Sequence, residues 1–337
     1  MFLTGILLTF ITNVFAYSPI FHEWQCVGIK ERIDFSKPYT FNVGELPLVL
    51  WKDAVSKRII TTLNICKHMG SALDKGKLTD TGCLKCPYHG LEFSYEDRFG
   101  ETMEHEGKLF WAYKPVKKTP YNVPFFNNPQ YVKSFVQIDM DGSLTDSAYN
   151  TMDLRHPEYV HSQLAGGFGN SIPPTNVKHY TYKSDPTRVG LSFDYVSNPV
   201  MRAINGDAKV THNYHMFQYP TFSWSKVTFE NKHLMIGVNL LPIAEKKTRW
   251  FITVCHNYYT SDMGQRFVNF LASTILGQDS VQMKLQAKES ALKRAVLFEH
   301  IFKDEEPILY LRQMLQDYKY PDIDSCAELY KDFQKHK

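Results

Sequence analysis

Two short clusters of cysteine and histidine constrain this chain more than any other feature. Cys66-Lys67-His68 is followed, 17 residues later, by Cys86-Pro87-Tyr88-His89. Each cluster offers one thiolate and one imidazole. Gly70 closes the first and Gly90 the second, where a backbone must bend tightly around whatever the side chains hold. A fold that brings these two loop tips together is a small β-rich unit. The surrounding residues supply short strand-like runs at Pro47–Trp51, Arg58–Leu63, Leu91–Ser94 and Leu109–Tyr113.

The rest of the chain sets bounds. At 337 residues it holds two modest domains or one large one. Its 38 basic and 35 acidic residues leave a net charge of +3 and no long basic block, which argues against a nucleic-acid partner. Lys284, Lys288, Lys293 and Arg294 are interleaved with Glu289 and read as a solvated helix face. Three of the six cysteines (Cys66, Cys83, Cys86) crowd together, while Cys26, Cys255 and Cys326 are scattered, a pattern of metal binding rather than of a disulfide framework. Residues 1–16 are apolar and almost uncharged, too short for a membrane span of about 20 residues. They read as a targeting or anchor segment: Val14 and Ala16 resemble a peptidase site, although a basic leader is missing. An oxidising lumen is a poor home for metal-bound thiolates, so an organelle such as a plastid suits the segment better than export.

The expected boundaries are residues 17–120 for the first domain and 121–337 for the second. The Pro- and Asn-rich stretch 115–130 is the expected connection between them. Beyond it, Tyr149–His161 reads as helical. Alternating runs come next, at Leu191, Phe193 and Tyr195, at Val210, His212, Tyr214 and Met216, and at Trp250, Ile252, Val254 and His256. Period-two alternation of this length predicts an antiparallel sheet with one buried face. Phe267, Phe270, Leu271, Thr274 and Ile275 form a helical stripe, with Ser261-Asp262 at its start as a cap. The tail from about 303 reads as short polar helices. The fold class is therefore α+β.

Two Cys and two His in two loops match the donor set of a Rieske [2Fe–2S] centre, with two thiolates on one iron and two imidazoles on the other. Zinc is the alternative, with Cys83 and Cys86 as a C-x₂-C half site completed by Cys66 and His68, but it leaves His89 unexplained. Cys83 reads better as a structural thiol. A second constellation, Asn150-x₂-Asp153-x₂-His156-x₄-His161, offers two imidazoles that a distant carboxylate would complete as a 2-His-1-carboxylate site with open positions on iron. Pro157 removes a backbone donor between them, so any helix there is distorted.

The two motifs in succession resemble the large subunit of the Rieske non-haem iron oxygenases, over about residues 24–295. The resemblance implies a Rieske domain followed by a helix-grip domain, an antiparallel sheet wrapped on a long helix. It implies that Cys66, His68, Cys86 and His89 hold the cluster and that His156 and His161 hold a mononuclear iron. The third ligand of the family is an Asp on a late helix. Gly277-Gln278-Asp279-Ser280-Val281 resembles that segment, so Asp279 is expected there, ahead of Asp262, a helix cap, and Glu289, a solvated charge. Asp153 is expected to bridge an iron-ligand histidine to a cluster-ligand histidine of a neighbouring subunit in a homotrimer; the role of Asn150 is open. Respiratory Rieske proteins carry an extra loop cysteine, and here Met69-Gly70-Ser71 lacks it, which points to the oxygenase branch. The run Cys86–Phe93 is similar to chlorophyll-pathway oxygenases of the plastid and to bacterial demethylating and ring-hydroxylating enzymes.

The resemblance further implies an O₂-dependent oxidoreductase acting on an organic substrate. Chain length favours a monooxygenase over a dihydroxylating dioxygenase. Phe217, Tyr219, Phe222, Trp224, Phe229 and Trp250 suit an apolar or ring-bearing molecule, and core packing explains them equally well. No G-x-G-x-x-G accompanies the motifs, so a separate reductase or ferredoxin is the expected electron donor. The alternative is a Rieske electron carrier whose second domain only binds.

Overall fold

The computed structural model describes residues 17–162, 173–197, 202, 209–287, 296, 302 and 305–336. The apolar segment 1–16 and three charges of the expected solvated face, Lys288, Lys293 and Arg294, lie outside the described residues, as does Glu289. The N-terminal part is all β. Strands β1 (Gln25–Ile29), β2 (Tyr39–Val43), β3 (Leu46–Lys52), β4 (Ile59–Leu63), β5 (Lys77–Leu78), β6 (Leu84–Lys85), β7 (Glu92–Phe93), β8 (Glu101–His105) and β9 (Lys108–Ala112) form three small antiparallel sheets. Their orders are β1-β9-β8, β2-β3-β4 and β5-β6-β7. The β3–β4 turn is held by Asp53, whose carboxylate accepts from the amides of Val55 and Ser56. Val49, Trp51, Ile60, Leu73, Leu84 and Phe93 close a small core around Cys66 and Cys86.

The second part is built on a seven-stranded antiparallel sheet of order β10-β16-β15-β14-β13-β12-β11. Its strands are β10 (Val132–Asp141), β11 (Thr175–Thr181), β12 (Arg188–Val196), β13 (Val210–Gln218), β14 (Phe222–Phe229), β15 (Lys232–Ala244) and β16 (Lys247–His256). Between β10 and β11 lie helix α1 (Leu144–Met152) and a single turn, α2 (His156–Tyr159). A long helix, α3 (Asp262–Gln286), follows the sheet, then α4 (Glu306–Leu315) and α5 (Ile323–Lys335). The α+β class is as expected. The buried inner face follows the register: Leu191 and Phe193 on β12, Phe217 on β13, Val238 and Leu240 on β15, Trp250, Ile252 and Val254 on β16. Against it pack Leu144, Ala148 and Met152 of α1 and Val268 and Met283 of α3. Trp250 donates from Nε1 to Ser147 Oγ at 3.0 Å, pinning α1 to the sheet, and Ser134 donates to Asn269 on α3.

Four expectations need correction. On β13 the inner positions are Thr211, Asn213, His215 and Phe217. The alternate set of Val210, His212, Tyr214 and Met216 faces the other way, with Tyr214 against Trp224. The stripe on α3 is displaced: Phe267 and Phe270 are exposed, and the buried residues are Val268, Asp279 and Met283. The sheet is not covered on one face only. Its outer face at β15 and β16 receives the N-terminal domain, where Lys108 of β9 is fully buried and donates to Asn239 Oδ1 (3.0 Å) and Thr253 Oγ1 (2.8 Å). Lastly, the tail is amphipathic rather than polar. α4 buries Ile308, Leu311, Met314 and Leu315, and α5 returns to the first domain. There Phe333 packs edge-on against Phe99 at 4.8 Å, Asp332 pairs with Lys114 at 2.9 Å, and Ser325 Oγ accepts from the Ser18 amide.

Candidate metal centres

The two Cys/His loops have the same backbone design. The amide of Cys66 donates to the Ser71 carbonyl and that of Cys86 to the Leu91 carbonyl, each at 2.8 Å. Gly70 and Gly90 donate back to the carbonyls of Cys66 and Cys86. Both glycines take φ near +75° (+75° and +74°), the left-handed conformation that costs a residue with a Cβ about 1–2 kcal/mol. The result places both cysteines inside and both histidines outside. Cys66 and Cys86 are buried, while His68 and His89 are exposed with ring centroids 4.9 Å apart. Burial works to raise the Cys86 pKa, but the amides of Tyr88 and His89 and the side chains of Cys66 and Ser71 hold it below the ordinary thiol value. A thiolate is the form that binds metal. Two inner thiols and two outer imidazoles fit a [2Fe–2S] cluster of the Rieske type. Cys83 sits instead in the neighbouring hairpin, its amide bonded to Thr79 Oγ1 and its carbonyl to the Thr79 amide. It does not group with Cys66, His68 and Cys86 around a single ion, as the zinc alternative requires.

The second centre is assembled from distant segments. A capping box starts α1: Ser143 Oγ accepts from the Asp146 amide, and Asp146 accepts from the Ser143 amide. The helix ends at Met152 because Asp153 is extended (φ −71°, ψ 123°). The Asp153 Oδ1 then caps the next turn, accepting from the amides of Arg155 (2.7 Å) and His156 (3.2 Å). Pro157 sits in that first turn, where its missing N–H costs nothing. The segment 149–161 is thus a helix end, a corner and one turn rather than one helix. The corner is also tied to the sheet, because Tyr195 donates its hydroxyl to the Leu154 carbonyl.

This local geometry, together with α3, brings His156, His161 and Asp279 together. Among the described residues they alone place three donor atoms of separate side chains within 4.8 Å of one another. His161 Nε2 lies 3.1 Å and His156 Nε2 3.6 Å from Asp279 Oδ1. His161 and Asp279 are buried and His156 nearly so. Burial pushes the His156 pKa down, against the pull of Asp153 and Asp279. Burial opposes the charged form of His161 as well, but the hydrogen bond and charge of Asp279, with a contribution from Gln278, outweigh it and raise that pKa. Two imidazoles and one carboxylate suit a divalent first-row metal with open coordination positions. Asp262, the rival carboxylate, is exposed at the start of α3, where Ser261 provides the cap to the Gly264 amide.

Three contacts lie beyond the motif. Gln278 Oε1 accepts from His161 Nδ1 at 2.8 Å, which leaves Nε2, 3.1 Å from Asp279 Oδ1, as the ring nitrogen turned to the triad. Asn150 donates from Nδ2 to Asp279 Oδ1 at 3.4 Å, giving that residue a place in the site. His156 Nδ1 lies 3.1 Å from the Asp153 carbonyl, which fixes the second ring. Gln278 was detectable only through its position beside Asp279.

Residues 23–110 match the family described as Rieske [2Fe-2S] domain. The chain is 22% identical to the chloroplastic pheophorbide a oxygenase of Oryza sativa subsp. japonica, over 72% of this chain and 50% of that protein. It is 33% identical to the chloroplastic pheophorbide a oxygenase of Arabidopsis thaliana, over 70% of this chain and 49% of that one. The chain thus spans about half the length of these relatives. A crystal structure of dicamba monooxygenase bound to dicamba superposes with a TM-score of 0.74 at 16% identity, covering 94% of this chain and 99% of that one. The chain carries a Rieske [2Fe–2S] domain and shares the overall fold of dicamba monooxygenase.

Proposed function

We propose that this protein is a Rieske-type oxygenase, more narrowly a monooxygenase, acting on an apolar or ring-bearing organic substrate. The observation that carries the reading is the convergence of His156, His161 and Asp279 in a chain that also carries a Rieske domain. When bound, a [2Fe–2S] cluster supplies single electrons and a mononuclear iron supplies O₂ activation. The chain's own residues set the conditions for both. Buried Cys66 and Cys86 would hold the cluster from the inside, and exposed His68 and His89 would hold it from the solvent side. Exposed Met69 and Tyr88 beside those histidines make a surface suited to docking. Gln278 keeps the proton of His161 on Nδ1, so that Nε2 is free to bind metal. The burial of His161 and Asp279 excludes bulk water from the inner side of the triad.

Asp153 is the candidate link between the two centres. Its Oδ1 is committed to the turn, and its Oδ2 lies 3.8 Å from His156 Nδ1 on a side chain that is one-third exposed (34%). In a homotrimer this carboxylate would orient His156 on one side and a cluster-ligand histidine of the next subunit on the other. Electrons would come from a separate ferredoxin or reductase. The chloroplastic relatives favour a plastid setting, and the pheophorbide a and dicamba named in the relatives both suit an aromatic substrate class.

The test is O₂ uptake by protein supplied with a ferredoxin and its reductase. His156→Ala and Asp279→Ala abolish uptake while the cluster spectrum stays intact. Uptake that survives both substitutions leaves the alternative, a Rieske electron carrier with a non-catalytic second domain.

A further inference from the structure

The inner face of the sheet is mostly apolar, and polar residues on it such as Asn213, which donates to Thr211, and Thr248, which donates to the Gly142 carbonyl, have partners within the protein. On β13, His215 lies on the same face as Phe193, with ring centroids 5.1 Å apart, and directly opposite Ser225 of β14. Ser223 stands two positions along on the same face and is buried. Around them the face is built from Leu191, Phe193, Phe217 and Val238. Two of these polar groups have no partner: His215 Nδ1 and Ser223 Oγ are buried and accept or donate no hydrogen bond. A buried polar atom left unpaired carries a penalty that a folded protein rarely leaves standing without a use. The position explains the use. His215 lies under the corner that holds the metal-site residues, with His156 near enough to disfavour its charged form.

We propose that His215 is a substrate-recognition residue: its Nδ1 accepts a hydrogen bond from a hydroxyl or N–H group on an otherwise apolar ring compound seated against the inner face. This deepens the oxygenase reading and rests on it. The polarity follows from the ring's own bonds. A neutral imidazole keeps one acceptor nitrogen, and Nδ1 is the ring atom that has no partner in the protein. Burial and the neighbouring His156 push the pKa down to about 4, so the ring is neutral and keeps that lone pair. Ser223 Oγ, unpartnered on the next strand, is a second contact for the same polar end of the ligand. A substrate without a donor would leave Nδ1 unsatisfied, which is the stronger source of discrimination.

The experiment is equilibrium dialysis of the metal-loaded protein against 5-indanol and against indane, a matched pair that differs by one hydroxyl. Wild type binds 5-indanol about tenfold more tightly than indane. His215→Phe, close in volume, binds the two alike and keeps the affinity for indane, while His215→Asn, which restores an acceptor oxygen, recovers part of the preference. A preference undiminished in His215→Phe overturns the proposal, as does a wild type that binds both alike. Iron content and the cluster signal are read on the same samples. Loss of preference with no iron at the triad counts against the oxygenase reading, whereas a wild type with intact iron and no preference sinks only the assignment of His215.

Discussion

Gln278 offers the sharpest quantitative test of the metal site, because it touches no metal and acts through one hydrogen bond. Its Oε1 lies 2.8 Å from His161 Nδ1, and the His161 side chain is only 4% exposed. Replacing it with Leu keeps the bulk and removes the acceptor. Water has little access to take its place, so the ring N–H is left unpaired at a cost of about 1–3 kcal/mol. The ring also becomes free to carry its proton on Nε2, the nitrogen that faces Asp279. Both effects weaken the metal-binding tautomer, and partners of this kind typically contribute 10- to 100-fold in metal affinity, or about 1.4–2.7 kcal/mol. Gln278→Leu is therefore expected to bind Fe(II) between ten and a hundred times more weakly in an anaerobic titration, with cluster absorbance unchanged as the internal control. Gln278→Glu retains the acceptor and adds a charge, so it binds at least as well as wild type. A Leu variant with wild-type iron affinity refutes the role assigned to this hydrogen bond.

Other consequences are measurable. His215 has a folded pKa near 4 against an ordinary 6.5. A depressed folded value means stability that is present above 6.5 and lost as pH falls toward 4, up to about 3 kcal/mol for a shift of this size. Urea titrations at pH 7 and pH 4 should show His215→Phe losing less stability on acidification than wild type. Leu329 of α5 is fully buried in the main core, so Leu329→Ala costs about 2–5 kcal/mol. Because α5 packs on the N-terminal domain, cluster bleaching and the far-ultraviolet transition should shift to lower temperature together. Gly70→Ala meets no steric obstacle but must adopt φ +75°, so it should lower cluster occupancy, measured as iron and sulfide per chain, without altering the Fe(II) affinity of the triad.

How much the sequence revealed depended on how local each feature is. The cluster loops are written in consecutive residues: the thiol, the imidazole and the closing glycine lie within five positions of each other, and the turn geometry comes from them. The corner at Asp153–His156 was half legible, since Pro157 announced a distortion but not where the helix would end. Asp279 came from a resemblance, as nothing in its spacing from His161 brings the two together; the packing of α3 along β10 does. Helical phase hid the rest of that helix. Its large aromatic residues, Phe267 and Phe270, suggested the buried face, yet the smaller Val268 and the charged Asp279 are the ones inside. On β13 the same bias misled the choice of face. Tyr214 and Met216 drew attention to the outer side, while Asn213 and His215 occupy the inner one. The return of α5 to the first domain depends on contacts across some 300 residues, such as Ser325 with Ser18, which no local pattern encodes.

One chain carries the donor sets of two metal centres, at Cys66/His68/Cys86/His89 and at His156/His161/Asp279. Electron paramagnetic resonance of anaerobic, iron-loaded protein tests it most directly, first after reduction and then after addition of nitric oxide. A rhombic reduced [2Fe–2S] signal together with a high-spin iron–nitrosyl signal is the expected result, and His156→Ala or Asp279→Ala removes only the second. A protein that purifies with zinc and shows neither signal contradicts the account, and so does a nitrosyl signal that survives both substitutions.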